Sequence, residues 1–162
     1  MPGFTTHYLF GVDACRRLTS TSMHNMIRRD HSAYALGLQG PDLFFYYLPS
    51  YLMHRKNIGD LAHRKDTVQF FANLLQSIVD AGFTITAVWP VKHSLSIADA
   101  YICGFMGHYT LDCTIHPYVY AFTGYNAQTP PSNTEYFGQH AYFETELDSE
   151  LLYEKKHLYP SQ

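Results

Sequence analysis

Apolar residues recur every three to four positions along most of this 162-residue chain, and this spacing is typical of amphipathic helices. The strongest stripe runs from Asp66 to Asp80, and Gly82 supplies a C-terminal stop for it. Its apolar members are Val68, Phe71, Leu74, Leu75, Ile78 and Val79. Phe83 to Val91 is β-branched enough for a strand, but no partner strand is evident, so we expect an extended connection there. The pattern therefore predicts an all-α fold.

Caps and breakers divide the chain into about five to seven helices. Thr19 to Ser22 marks a turn and the start of a second helix. Gly40-Pro41 breaks the chain ahead of an aromatic segment, Asp42 to Leu48, that Pro49 closes. The first main helix is expected from a cap at Thr5 or Thr6 to Leu18, and two others are expected from Met23 to about Leu36 and from Asp66 to Asp80. A fourth helix should run from a cap at Ser94 or Ser96 to Ile115, with a kink or break at His116 before Pro117. The last should run from a cap at Ser132 or Asn133 to about His157.

Length and composition indicate one globular domain spanning residues 1–162. A chain of this size buries roughly 70% of its unfolded surface without needing disulfides or metal. Hydrophobic residues make up 46% of the sequence and aromatic residues 16%, a composition that excludes a disordered chain. No internal repeat or linker divides the sequence.

Charge and the ends of the chain narrow the function classes. The net charge of -3 leaves no basic stripe, so a stable nucleic-acid partner is not expected. No run approaches the roughly 18 consecutive apolar residues of a membrane span. The amino terminus has neither a basic nor an apolar signal region, so no signal peptide is expected. Three cysteines without a CxxC pair favour reduced thiols and a cytoplasmic location.

Histidines and carboxylates share the helical spacing in two segments. His108, Asp112 and His116 follow one another at intervals of four, and so do His140 and Glu144. Residues four apart lie about 5 to 6 Å apart on one helix face, so an imidazole and a carboxylate can share a metal ion. His108 and His116 are two turns apart, roughly 12 Å along the axis, too far for one ion. The spacing therefore predicts more than one metal, with Asp112 placed to bridge.

These residue types do not by themselves name the metal or the reaction. Imidazole and carboxylate are ligands of zinc and its neighbours, and a helical set of them can also build an iron site that acts on oxygen. A single histidine and aspartate at this spacing often arises by chance. Two such groups in one chain favour a metal site.

Four segments together resemble the zinc-dependent phospholipase C family, which belongs to the same superfamily as zinc-dependent single-strand nucleases. The resemblance extends from His7 to about Asp148. The segments are Gly40-Pro41-Asp42-Leu43-Phe44-Phe45, Leu61-Ala62-His63-Arg64-Lys65-Asp66-Thr67, Ala100 to Tyr118 with its His-Tyr, Asp and His, and His140 with Glu144. His54 competes with His63 as the matching histidine, and His63 is preferred because Asp66-Thr67 and the strong helix follow it.

The resemblance implies an all-helical domain holding two to three zinc ions. Carried over by position, the resemblance implies a first zinc held by Asp42, His63, His108 and Asp112. It implies a second zinc held by His116, His140 and Glu144, and a third held by His7 with bridging Asp112. In the secreted enzymes the third zinc also takes the amino group and carbonyl of the mature N-terminal residue. With no signal peptide expected here, this third site is expected to be remodelled, weakly filled or completed by water.

The resemblance also implies a zinc-dependent phosphodiesterase or phosphatase of the phospholipase C type. Closely spaced zinc ions activate water for attack on phosphorus. Asp42 is the candidate to orient or deprotonate that water, and the substrate is a small phosphoester or a phospholipid head group. Two alternatives stay open: an iron-dependent oxygen-using enzyme, and a non-catalytic domain with a structural metal. No oligomeric state is predicted.

Overall fold

The structure of the protein, a computed structural model, describes residues 3–53, 57–64, 67–80, 97–124 and 134–158. Every secondary-structure element within these ranges is a helix. The predicted all-α fold is confirmed. Within these ranges lie α1 (Phe4–Arg16), α2 (Thr21–Arg29), α3 (His31–Leu38), a 3-10 helix (Gly40–Tyr46), α4 (Leu48–Leu52), α5 (Ile58–Arg64), α6 (Thr67–Asp80), α7 (Ile97–Thr123) and α8 (Thr134–Lys156). Across the same ranges, none of the helices combines the length and apolar character needed to span a bilayer.

Strong periodic segments were predicted well, and short ones were merged or missed. The stripe from Asp66 to Asp80 is α6, and Ser20 caps α2 by accepting a hydrogen bond from the Met23 amide. The helix expected from Met23 to Leu36 is wrong, because Asp30 leaves helical geometry (φ -106°, ψ 39°) and separates α2 from α3. The described ranges therefore hold more helices than the number predicted.

Two proline predictions are corrected by the structure. Pro49 does not close a segment but lies second in α4, where the missing amide had no helical acceptor. Pro117 does not interrupt α7, which continues to Thr123. Pro117 is exposed, so the carbonyl four residues earlier can turn to water. Packing of Tyr118 and Phe122 against Phe143 of α8 holds the last turns in place.

The expected cap of α1 is also corrected. Thr5 and Thr6 lie inside the first turn, and Gly3 is the N-cap residue, with no side chain to offer. Several sequence expectations lie outside the described residues: the stop at Gly82, the extended connection from Phe83 to Val91, the caps at Ser94, Ser96, Ser132 and Asn133, and the role of His54.

Helices α3 and α7 pack closely against each other through two glycines. A Cβ atom added to Gly37 would overlap the Tyr101 carbonyl, and one added to Gly104 would overlap the Tyr34 carbonyl. The backbones can approach this closely only because neither residue has a side chain. The core beside this contact contains Met26, Ile27, Tyr34, Leu38 and Ala100.

Substituting Gly104 with alanine is expected to destabilise the fold by about 1 to 3 kcal/mol, because the obstructing atoms are backbone and cannot rotate away. Denaturant unfolding of the two proteins measures the difference. Gly138→Ala in α8 is the matched control, since no described atom lies within 4 Å of the added Cβ. That control is expected to be neutral or more stable by up to about 1 kcal/mol. Equal effects of the two substitutions would show that the close approach of α3 and α7 is not required.

Candidate metal centre

Four helices and the 3-10 segment bring the eight predicted metal-ligand residues into one connected cluster. α1 supplies His7, the 3-10 helix supplies Asp42 and α5 supplies His63, while α7 supplies His108, Asp112 and His116, and α8 supplies His140 and Glu144. The cluster contains three groups whose donor atoms lie within 4.8 Å of one another. The groups are His7, His108 and Asp112; Asp42, His63 and His108; and His116, His140 and Glu144.

Asp112 lies at the middle of the cluster and presents its two oxygens to different imidazoles. Oδ1 lies 3.4 Å from Nε2 of His7. Oδ2 lies 3.3 Å from Nε2 of His108, 3.5 Å from Nε2 of His63 and 3.9 Å from Nδ1 of His116. The bridging role of Asp112 stays a prediction, and this geometry is one in which the carboxylate could fill it.

The second end of the cluster is formed where α7 meets α8. Glu144 Oε1 lies 2.8 Å from His140 Nε2 and 3.5 Å from His116 Nε2. The His116 ring stacks on Tyr120 with an interplanar angle of 4°, which fixes the plane of the imidazole. None of the three groups contains both His108 and His116, in agreement with their expected placement on different ions.

Backbone carbonyls orient two of the histidines. Nδ1–H of His63 donates to the Gly59 carbonyl at 2.7 Å, and Nδ1–H of His108 donates to the Leu38 carbonyl at 3.1 Å. In each ring the remaining Nε2 faces the carboxylates, and it is the atom that would bind a metal ion in the deprotonated ring. Metal-binding histidines in proteins are typically held in this way.

Asp42 reaches the cluster through a turn that requires glycine. Gly40 has φ +53°, the left-handed region, and a Cβ there would overlap the His108 ring. The turn brings Asp42 Oδ1 to 3.0 Å from Nε2 of His63 and 3.9 Å from Nε2 of His108. The Gly-Pro pair therefore acts as more than a chain break, because it lets the 3-10 helix approach α7.

Burial and pairing perturb the ionisation of the cluster. Burial lowers the pKa of His63, but the neighbouring Asp112 and Asp42 carboxylates outweigh it and raise that pKa to about 10. Burial raises the pKa of Glu144, and pairing with His116 and His140 outweighs this and lowers it to about 2.

The pKa values of His7 and Asp112, at the centre of the cluster, are both lowered. Burial is the main reason that the pKa of His7 is lowered, so its imidazole is neutral near pH 7. Burial acts to raise the pKa of Asp112, but three surrounding imidazoles hold it well below its usual range. His7 and Asp112 are therefore in the forms that bind a metal ion, a neutral imidazole and an ionised carboxylate.

The donor set fits zinc. Two ligands of one tetrahedral zinc, each about 2.0 to 2.1 Å from it, are about 3.3 to 3.4 Å apart. Several imidazole-carboxylate separations in the cluster are 3.3 to 3.5 Å, longer than a good hydrogen bond. Within the described part of the chain, Oδ2 of Asp42, both His7 ring nitrogens and Nε2 of His108 are buried without a hydrogen-bond partner. Buried polar atoms are rarely left this way unless something else satisfies them.

Sequence reasoning located the residues of this cluster but missed the groups that support them. The carbonyls of Gly59 and Leu38 leave no sequence pattern, because any residue carries a carbonyl. Gly40 was recognised as a breaker, and its contact with the His108 ring was not foreseen. The close approach of the His7 and His108 rings, with centroids 4.1 Å apart, was also not foreseen.

The chain belongs to the zinc-dependent phospholipase C family, whose sequence model matches residues 6–162. This is the family that the four motifs resemble. Comparisons with curated proteins and with solved structures find no significant match. Family membership and the three donor groups agree on a zinc-binding protein of the phosphoester hydrolase class.

Proposed function

We propose that this protein is a zinc-dependent phosphoester hydrolase of the phospholipase C type, with two to three ions bound by the eight clustered residues. The observation that carries the proposal is Asp112, whose two oxygens face imidazoles of different donor groups. Neighbouring zinc ions, when bound, lower the pKa of water to about 7 and stabilise charge on phosphoryl oxygens. A single structural ion would not need such a bridge.

Asp42 is the residue that we assign to handle the proton of the attacking water. Its Oδ1 faces His63, while Oδ2 has no hydrogen-bond partner within the described ranges. Oδ2 is therefore the atom that orients the water and accepts its proton. The water oxygen forms a new bond to phosphorus as the ester P–O bond breaks, and the alcohol leaves with a proton.

Exposure indicates the side from which a substrate approaches. His63, His116 and His140 keep 21%, 15% and 12% of their side-chain surface, whereas Asp42 and Glu144 keep 1%. The phosphoryl group therefore reaches the cluster over the three histidine rings. A small phosphoester or a phospholipid head group suits this access, and the net charge of -3 disfavours a stable nucleic-acid substrate. We assign the activity to one domain spanning the chain.

Removing metal is expected to eliminate hydrolysis of a chromogenic phosphodiester and to lower the Tm, because the buried carboxylates and imidazoles lose their common partner. Activity and Tm are measured after chelation and again after adding zinc. Elemental analysis of untagged protein gives the identity and number of the ions.

The controls separate the proposed reaction from the alternatives. Recovery with zinc and not with magnesium supports the proposal. Recovery of Tm with zinc but no hydrolysis of any phosphoester would indicate a structural metal and contradict the enzyme assignment. Iron found in place of zinc would favour an oxygen-using enzyme.

A further inference from the structure

The N-terminus of α1 is closed by a side chain from the far end of the sequence. Asp148 of α8 accepts hydrogen bonds from the backbone amides of Thr5, at 3.1 Å, and Thr6, at 2.8 Å. The Thr6 hydroxyl donates to the same carboxylate at 2.5 Å. These contacts span 142 to 143 residues along the chain.

Helix α1 has no acceptor of its own at this end. Its N-cap residue is Gly3, and its first turn contains no acidic residue. The first amides of a helix lack partners inside the helix and carry partial positive charge. The Asp148 carboxylate of α8 therefore accepts the hydrogen bonds that an N-cap side chain usually accepts.

The same face of α8 carries two of the proposed zinc ligands. His140, Glu144 and Asp148 are spaced four residues apart, so they lie along one side of the helix. The anchored turn of α1 carries His7, which is fully buried and lies 3.4 Å from Asp112. One helix face thus binds the cluster at one end and holds the start of α1 at the other.

We infer that Asp148 is a positioning residue for His7: it fixes the first turn of α1 against α8 so that the His7 imidazole stays at Asp112. The inference rests on the proposed function, because it assigns to this contact the integrity of the donor group containing His7. Asp148 itself belongs to none of the three donor groups.

Gly3 supports this inference independently. Its backbone angles, φ -65° and ψ 164°, suit any residue, so the glycine is not needed for conformational freedom. A Cβ at this position would overlap the Asp148 carboxylate. The space at Gly3 is therefore required for the carboxylate to reach the amides.

The test compares zinc binding in Asp148→Ala with wild type, His7→Ala and the double variant. Loss of an outer support weakens metal binding about 10- to 100-fold. At a zinc concentration that just saturates wild type, native mass spectrometry is expected to show one zinc fewer for Asp148→Ala. The double variant is expected to lose no more than His7→Ala alone. Glu146→Ala, which removes an exposed carboxylate from the same helix, is expected to match wild type.

A second readout uses metal-free protein and does not depend on zinc. Diethyl pyrocarbonate acylates accessible imidazoles, and peptide mass spectrometry locates the product. His7 is expected to be protected in wild type and in Glu146→Ala but to react in Asp148→Ala. His108 is expected to stay protected in all of them, because the core around it is intact. Asp148→Asn keeps one acceptor oxygen and is expected to react to an intermediate extent.

Three results would overturn the inference. They are an unchanged zinc count with a protected His7, a double variant that loses more zinc than His7→Ala, and a Gly3→Ala protein in which His7 stays protected. If Asp148→Ala exposes His108 as well, the variant has unfolded, and Gly3→Ala decides the question because it displaces the carboxylate without removing it. If wild type binds no zinc, the proposed function fails, while the acylation pattern still decides the role of Asp148.

Discussion

Replacing Asp112 with asparagine is expected to abolish phosphodiester hydrolysis and to release zinc from more than one position. The carboxylate faces His7 through one oxygen and His63 and His108 through the other. Asparagine keeps the shape but removes the charge and one acceptor. With zinc bound, the Asp112 carboxylate would be the partner of a buried cation, and breaking a buried charge pair costs about 3 to 5 kcal/mol. The same energy lost from metal binding corresponds to roughly 10²- to 10⁴-fold in zinc affinity.

Competition with a zinc chelator measures that affinity, and elemental analysis counts the ions that remain. Asp13→Asn is the matched control, because it removes the same charge from a half-exposed carboxylate outside the cluster. The control is expected to bind zinc as wild type does. An Asp112→Asn protein that keeps its full zinc content would remove the bridging role on which the proposed function depends.

Gly40→Ala is expected to give the second large effect, on both folding and metal binding. A residue with a side chain at φ +53° costs about 1 to 2 kcal/mol. The new Cβ would also overlap the ring of His108, and overpacking of this kind costs about 1 to 3 kcal/mol more. His108 belongs to two donor groups, so its displacement is expected to weaken zinc binding at both.

Gly124→Ala separates the two costs. Gly124 also has positive φ, +78°, but no described atom lies within 4 Å of an added Cβ. Chemical denaturation is expected to show only the backbone cost for Gly124→Ala, with an unchanged zinc content. If the two variants lose the same stability and both retain their zinc, the Gly40 contact with His108 has no functional role.

The helices and the local pairs of histidine and carboxylate residues could be predicted from the sequence because both depend on the helical period. A stripe such as that of α6 repeats at helical spacing over several turns, and chance rarely produces this. The same period places Asp112 between His108 and His116, and Glu144 beside His140. Boundaries set by weak local preferences, such as the division of α2 from α3 at Asp30, were not predicted.

Local rules failed where packing between helices outweighed them. A kink or break was expected at His116 before Pro117, yet α7 continues because its later turns are held against α8. Thr5 and Thr6 are good caps by composition, yet the acceptor for their amides comes from Asp148. In both cases a contact between distant segments replaced the interaction that the local sequence suggested.

What the sequence by itself determined is therefore the all-α class and the pairing of histidine with carboxylate within α7 and α8, since residues four apart on a helix are neighbours in any fold. Only the tertiary structure decided how the pairs combine. His7 meets Asp112 because α1 packs against both α7 and α8, and Asp42 meets His63 because α5 packs on the 3-10 helix. Such contacts join segments far apart in the chain, and their geometry depends on close approaches such as that between Gly37 and Gly104, which no local period encodes.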